Sequence, residues 1–161
     1  MSERRKHRKF SYVAIGGTFD KLHKGHRKLI KRALDVGNFV IVGLTSDQMV
    51  NSYKNHIVTD FESRKRGVEE FLEKENAKER AQIFKINNPY GPAIADDRID
   101  GIVVSTETEH SAIEINELRE KRGLKPLKKV VIKMVLAEDG LPISCTRMRR
   151  GEIDEEGRRL I

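Results

Sequence analysis

Five short runs rich in Val, Ile and Phe, at residues 10–15, 38–44, 81–87, 101–105 and 129–136, recur along the chain with longer helical patterns between them. The runs are near-continuous in apolar residues, as expected of strands covered on both faces. Between them, 25–36 sets Leu29, Ala33 and Val36 on one stripe before Gly37, and Asp60 is placed to cap a helix carrying Val68, Phe71 and Leu72. A further helical segment over 109–122 carries Ile113, Asn116 and Leu118 and stops before Gly123. Strands alternating with helices and joined by right-handed crossovers predict an α/β fold: a Rossmann-like, open, parallel five-stranded sheet with helices on both faces. Ligands in such sheets sit at the carboxyl ends of the strands.

The chain has 161 residues, enough for one core and not for two full domains. The expected division is a basic tail over 1–9 that frays, followed by a single domain over 10–161. No apolar run reaches the roughly 18 to 20 residues of a membrane-spanning helix, and no secretory leader is visible. The only cysteine, Cys145, has no internal disulfide partner, which suits a reducing cytoplasm. The formal charge is +7, but residues 2–9 hold five basic side chains against Glu3, so the body is mixed in charge. With six Phe, three Tyr and no Trp there are few stacking platforms, and a nucleic-acid partner is not expected. The sequence leaves the oligomeric state open.

The strand-end rule directs attention to the segment after the first strand, Gly16-Gly17-Thr18-Phe19-Asp20-Lys21-Leu22-His23-Lys24-Gly25-His26. Paired glycines allow close backbone approach, Thr18 supplies a hydroxyl, and His23 and His26 share a face at a helix start where N–H groups attract phosphate. That combination suits a polyphosphate. It matches neither the Walker pattern nor the dinucleotide Gly-x-Gly-x-x-Gly. No third Cys or His lies nearby in sequence at zinc-ligand spacing, so no metal site is expected.

Gly17-Thr18-Phe19-Asp20 followed by His23-Lys24-Gly25-His26 resembles the nucleotidyltransferase superfamily with a His-x-Gly-His signature. Ile143-Ser144-Cys145-Thr146-Arg147-Met148-Arg149 resembles the Ile-Ser-Ser-Thr-x-Ile-Arg motif of the same superfamily, with Cys145 where Ser is usual. In between, Val103–Thr108 with Asn116, Arg119 and the run 139–144 resembles the archaeal and eukaryotic type of phosphopantetheine adenylyltransferase. Cytidylyltransferases carry an arginine where this chain has Asp139, which disfavours a cytidine nucleotide.

The resemblance implies transfer of an adenylyl group from ATP to 4'-phosphopantetheine, giving dephospho-coenzyme A and pyrophosphate. Flavin mononucleotide and nicotinamide mononucleotide are the rival acceptors. It implies His23, His26, Thr18 and Lys54 as catalytic groups. Gly16, Gly17, Phe19, Ser105, Glu107, Asn116, Arg119, Ser144, Cys145, Thr146 and Arg147 are the implied binding residues, and Arg64 or Arg66 is an implied guard of the acceptor. Mg²⁺ is expected as the counterion of the ATP phosphates, held mainly by them and by water.

Overall fold

The computed structural model describes residues 8–53 and 58–160. The expected tail lies almost wholly outside the described residues, and Lys54 does too. Strand β1 (Phe10–Gly17) leads through Thr18–His23 into helix α1 (Lys24–Val36), followed by β2 (Gly37–Thr45), α2 (Asp47–Tyr53) and α3 (Phe61–Lys74). Then come β3 (Ala81–Ile86), β4 (Gly101–Ser105), α4 (Glu109–Lys121), β5 (Lys128–Ile132) and the five-residue α5 (Cys145–Arg149). All strand pairings are parallel, in the order β3-β2-β1-β4-β5. The expected α/β sheet is therefore present, and its order reverses between β1 and β4. The carboxyl ends of those two strands open the crevice in which ligands of such folds bind.

Period-two alternation sorts β1 between two cores. Val13 and Ile15 pack with Ile30, Leu34, Val68 and Leu72 of α1 and α3 on one face. Ala14 packs with Ile102, Val104, Ala112 and Ile115 against α4 on the other. Helices thus cover both faces. α1 passes into β2 without a loop because Gly37 lies against Val13, where a Cβ would come within 2.4 Å of Val13 Cγ1.

The differences from expectation are local. β5 ends at Ile132 and not at Leu136, because 133–136 peel off to build a separate hairpin. The Ile143 N–H donates to the Val135 carbonyl, and Leu136 bridges Pro142. This hairpin has its own small core of Ala137, Ile143 and Ile153. β3 stops one residue early, at Ile86. Asp60 is the N-cap of α3, but its carboxylate accepts from the Ser63 hydroxyl (2.7 Å), not from a backbone N–H. On α4 the buried stripe is Ala112, Ile115 and Arg119, and Ile113 is 49% exposed. Among the described residues no helix is long and apolar enough to cross a membrane.

Candidate active site

Gly16 and Gly17 are the last residues of β1, and the chain turns sharply at Phe19, whose φ of 49° is unusual for a residue with a Cβ. Burial holds that conformation: Phe19 is in the core and its ring meets the His26 ring edge-on, centroids 5.2 Å apart. His23 then caps α1. Its Nδ1 accepts from the N–H groups of Gly25 (3.0 Å) and His26 (3.3 Å), a task usually left to Ser, Asp or Asn. The glycine between the histidines makes this possible, since a Cβ on Gly25 would lie 2.9 Å from His23 Cε1.

The two imidazoles stack, centroids 3.7 Å apart and planes within 14°. Their hydrogen bonds put protons on different ring nitrogens. His23 Nδ1 is an acceptor, so the proton of the neutral ring sits on Nε2. His26 Nδ1 lies 2.8 Å from the Lys21 carbonyl, which can only accept, so Nδ1 carries a proton there. The longer 3.4 Å approach of the His23 N–H to that nitrogen is then not a hydrogen bond. Burial, followed by His26 and Arg27, pushes the His23 pKa down to about 3. His23 is therefore a neutral N–H donor at physiological pH.

A hydroxyl relay fixes Thr18. Arg64, 2% exposed, donates to the carbonyls of Thr18 (3.0 Å) and Thr59 (2.7 Å) and to Thr45 Oγ1 (3.3 Å). It also pairs with Asp47 at 3.0 Å. Thr45 in turn donates to Thr18 Oγ1 at 3.0 Å. The sequence left Arg64 and Arg66 equivalent; Arg64 holds the Thr18 turn and Arg66 is exposed. Thr45 and Asp47 were missed, and their only sequence signal was their place at the end of β2.

Two cavities meet at Gly16, Gly17 and Thr108. One, of about 370 Å³, is lined by His23, His26, Phe19, Ser105 and Glu107 from the sheet side. Ser144, Cys145, Thr146 and Arg149 close it from the C-terminal segment. The other, of about 230 Å³, reaches Thr18 and is largely apolar, walled by Ile41, Met49, Tyr90, Pro92 and Ile115. The C-terminal segment is pinned across the start of α1. The Lys24 N–H donates to the Glu155 carbonyl (2.8 Å), and Arg27 is ion-paired with Glu156.

Three expected binding residues lie elsewhere. Asn116 makes a paired hydrogen bond with the Leu127 backbone, at 3.0 and 2.7 Å. Arg119, 2% exposed, donates to the carbonyls of Ala93, Asp96, Ile99 and Lys125. Both therefore brace the amino ends of β4 and β5, away from the crevice. Arg147 ion-pairs with Asp139 and Glu152 and donates to the Leu141 and Pro142 carbonyls, clamping its own hairpin. Its neighbour Arg149 lines the cavity instead. The spacing rule, which sees only neighbours in sequence, also bears on one contact made by folding. Folding brings Cys145 to His23 and His26, with one ligand atom of each inside a 4.8 Å span.

Residues 14–151 match the family model described as cytidylyltransferase-like. The chain is 48% identical over 147 residues to the phosphopantetheine adenylyltransferase of Methanopyrus kandleri, covering 91% of this chain and 93% of that one. It is 45% identical over 150 residues to the phosphopantetheine adenylyltransferase of Methanothermobacter thermautotrophicus, covering 93% and 90%. Among solved structures, a protein of unknown function from Archaeoglobus fulgidus superposes with a TM-score of 0.68 at 35% identity, over 75% of this chain and 88% of that one.

Proposed function

The chain belongs to the cytidylyltransferase-like family, in its branch of phosphopantetheine adenylyltransferases, and from that premise we propose how its site transfers the adenylyl group of ATP to 4'-phosphopantetheine. The products are dephospho-coenzyme A and pyrophosphate. The observation that carries the scheme is the meeting of two cavities at Gly16, Gly17 and Thr108, the first lined by His23, His26 and the C-terminal segment and the second reaching Thr18. ATP phosphates occupy the first, and the arm of the acceptor occupies the second.

A phosphate nucleophile is already anionic near neutral pH. No general base is needed, and rate comes from alignment and from neutralising charge on the α-phosphate and leaving pyrophosphate. His23 serves as a neutral donor through Nε2–H, held in place by its cap bonds. His26, braced by Phe19 and the Lys21 carbonyl, meets the charge that develops on the α-phosphate. Thr18, oriented by Thr45 and Arg64, aligns the acceptor phosphate with the Gly17 backbone. Ser144, Thr146 and Arg149 hold the β- and γ-phosphates, with Ser105 and Glu107 at the rim. Lys54 keeps its role in this scheme on the resemblance alone.

Mg²⁺ enters on ATP. The donor set suits that, since the imidazole–thiol trio is a poor match for a hard, oxygen-seeking ion. Bound to the triphosphate, the ion supplies charge neutralisation. The lone Cys145 and the use of ATP support a cytoplasmic setting.

The test is pyrophosphate release with ATP and a panel of acceptors. Phosphopantetheine should exceed flavin and nicotinamide mononucleotides, by up to about 10⁴, because mismatched polar groups are left unpaired. CTP should be a poor donor. In the same assay His26→Ala should lose about 10²- to 10³-fold in turnover with little change in melting temperature. Comparable turnover with flavin mononucleotide, or near-full activity of the variant, refutes the scheme.

A further inference from the structure

Cys145 replaces a serine in a motif whose other members serve phosphates, and nothing in the transfer reaction calls for a thiol. Folding puts it beside the two histidines that line the cavity among the described residues, from a position over a hundred residues away in sequence. One ligand atom from each of His23, His26 and Cys145 falls within a 4.8 Å span. Around a tetrahedral zinc ion, with bonds near 2.0–2.3 Å, two nitrogens stand about 3.4 Å apart and a nitrogen and a sulfur about 3.6 Å apart. The trio is thus within about an ångström of ligation distance. Cys145 opens a short helix at the cavity wall, and its Sγ lies 3.9 Å from the same Lys21 carbonyl that His26 Nδ1 meets.

His26 already has the second-shell contact that metal-bound imidazoles usually have, with Nδ1 donating to a backbone carbonyl and Nε2 turned away from it. His23 is less prepared. Its Nδ1 accepts two cap bonds and its Nε2 carries the proton, so ligation requires the ring to turn and release them. The nearly parallel stack points the same way, since two parallel rings do not aim their lone pairs at one ion. An ion held here is bound less tightly than in a closed four-ligand site, and the fourth position stays open.

The geometry points to a His₂Cys site, made by His23, His26 and Cys145, that takes a borderline-soft divalent ion such as Zn²⁺ and shuts the ATP phosphate subsite when occupied. Thiolate and imidazole donors favour Zn²⁺ and Co²⁺ over Mg²⁺. Ligation converts the thiol to thiolate and releases its proton. The inhibitory part rests on the proposed contact of the two histidines with ATP, because an ion on both rings removes them from the phosphates. The metal-binding part does not depend on that.

The experiment titrates Co²⁺ into chelator-treated full-length protein without nucleotide. A thiolate-to-cobalt charge-transfer band and the visible absorption of tetrahedral cobalt should saturate at one equivalent, and Zn²⁺ should abolish both. Cys145→Ser should lose the charge-transfer band and weaken the metal by at least about tenfold. His26→Ala should weaken it similarly, which separates a three-residue site from a lone thiol. ATP should compete with Co²⁺, and Zn²⁺ should inhibit pyrophosphate release by the wild type, reversibly by chelator. Absence of the charge-transfer band, an unchanged affinity in Cys145→Ser, or displacement by equimolar Mg²⁺ overturns the site. If cobalt binds as described but does not compete with ATP, the site stands and the inhibition falls. If no acceptor on the panel supports turnover, the adenylyl-transfer reading fails without touching the metal titration.

Discussion

Arg64 and Arg119 are both 2% exposed and both bridge elements of the same sheet, yet they stand at opposite edges of it. Arg119 spends its guanidinium on four backbone carbonyls just ahead of β4 and β5. Burial lowers its pKa, against the pull of Asp96 and Asp97. Arg64 has the backbone partners too, but adds the Thr45 hydroxyl and a carboxylate, Asp47, whose side chain is 53% exposed. Burial alone therefore does not tell a rivet from a functional arginine. What does is whether any partner can respond to a ligand, and only the carboxyl edge offers such partners.

Replacing each arginine by methionine probes that contrast, and the largest effect is expected at the amino edge. Arg119→Met strips donors from four carbonyls, each about 1–3 kcal/mol if left unsatisfied and partly relieved by water, so a loss of roughly 3–5 kcal/mol is expected. Turnover per folded molecule should hardly change, as judged by a melting curve beside an active-site titration. A small melting shift with a collapse of turnover would return Arg119 to the nucleotide and erase the comparison. Arg64→Met should do the opposite, lowering kcat about tenfold to a hundredfold through misplacement of Thr18, with a stability loss of about 1–3 kcal/mol. Unchanged kcat in that variant would make Arg64 a second rivet.

The effect that is smallest at neutral pH concerns acid stability. His23 has a folded pKa of about 3 against its usual 6.5, so between these values the unfolded chain binds the proton that the folded chain refuses. Stability contributed by neutral His23 is thus complete above pH 6.5 and drains away as the pH falls toward 3. His23→Asn keeps an acceptor at the cap and has nothing to titrate, so its denaturation midpoint should vary less across that window. An equal slope in variant and wild type would mean that other groups set the acid limit.

Sheet, helices and the loop after β1 were legible because their signals are local. Apolar runs announce strands, and Gly-Gly-Thr-Phe-Asp with two histidines announces itself at one strand end. Asn116 and Arg119 misled for a physical reason: polar residues three apart on a helix look the same whether they face a nucleotide or bind the backbone. Arg147 misled likewise, since its partner Asp139 sits in a hairpin that read as the end of a strand. Residues 133–136 read as β5 because apolar character alone does not distinguish a sheet from a cavity wall. The His23–His26–Cys145 cluster was invisible because ligand-spacing rules see neighbours in sequence, and this one is closed by the fold.

The hydrogen bond from Lys24 to Glu155 ties the start of α1 to a residue 131 positions downstream. Vectorial synthesis gives that tie a timetable. A nascent chain can lay down β1, α1 and β2 early, since their contacts are close in sequence, but the helix that carries both imidazoles keeps an unsatisfied first amide until Glu155 emerges. The cavity beside the two imidazoles gains Ser144, Thr146 and Arg149 only in the same closing stage. Until residues 144–155 have emerged, a nascent chain therefore lacks that finished cavity, and anything bound there becomes a folding ligand only afterwards.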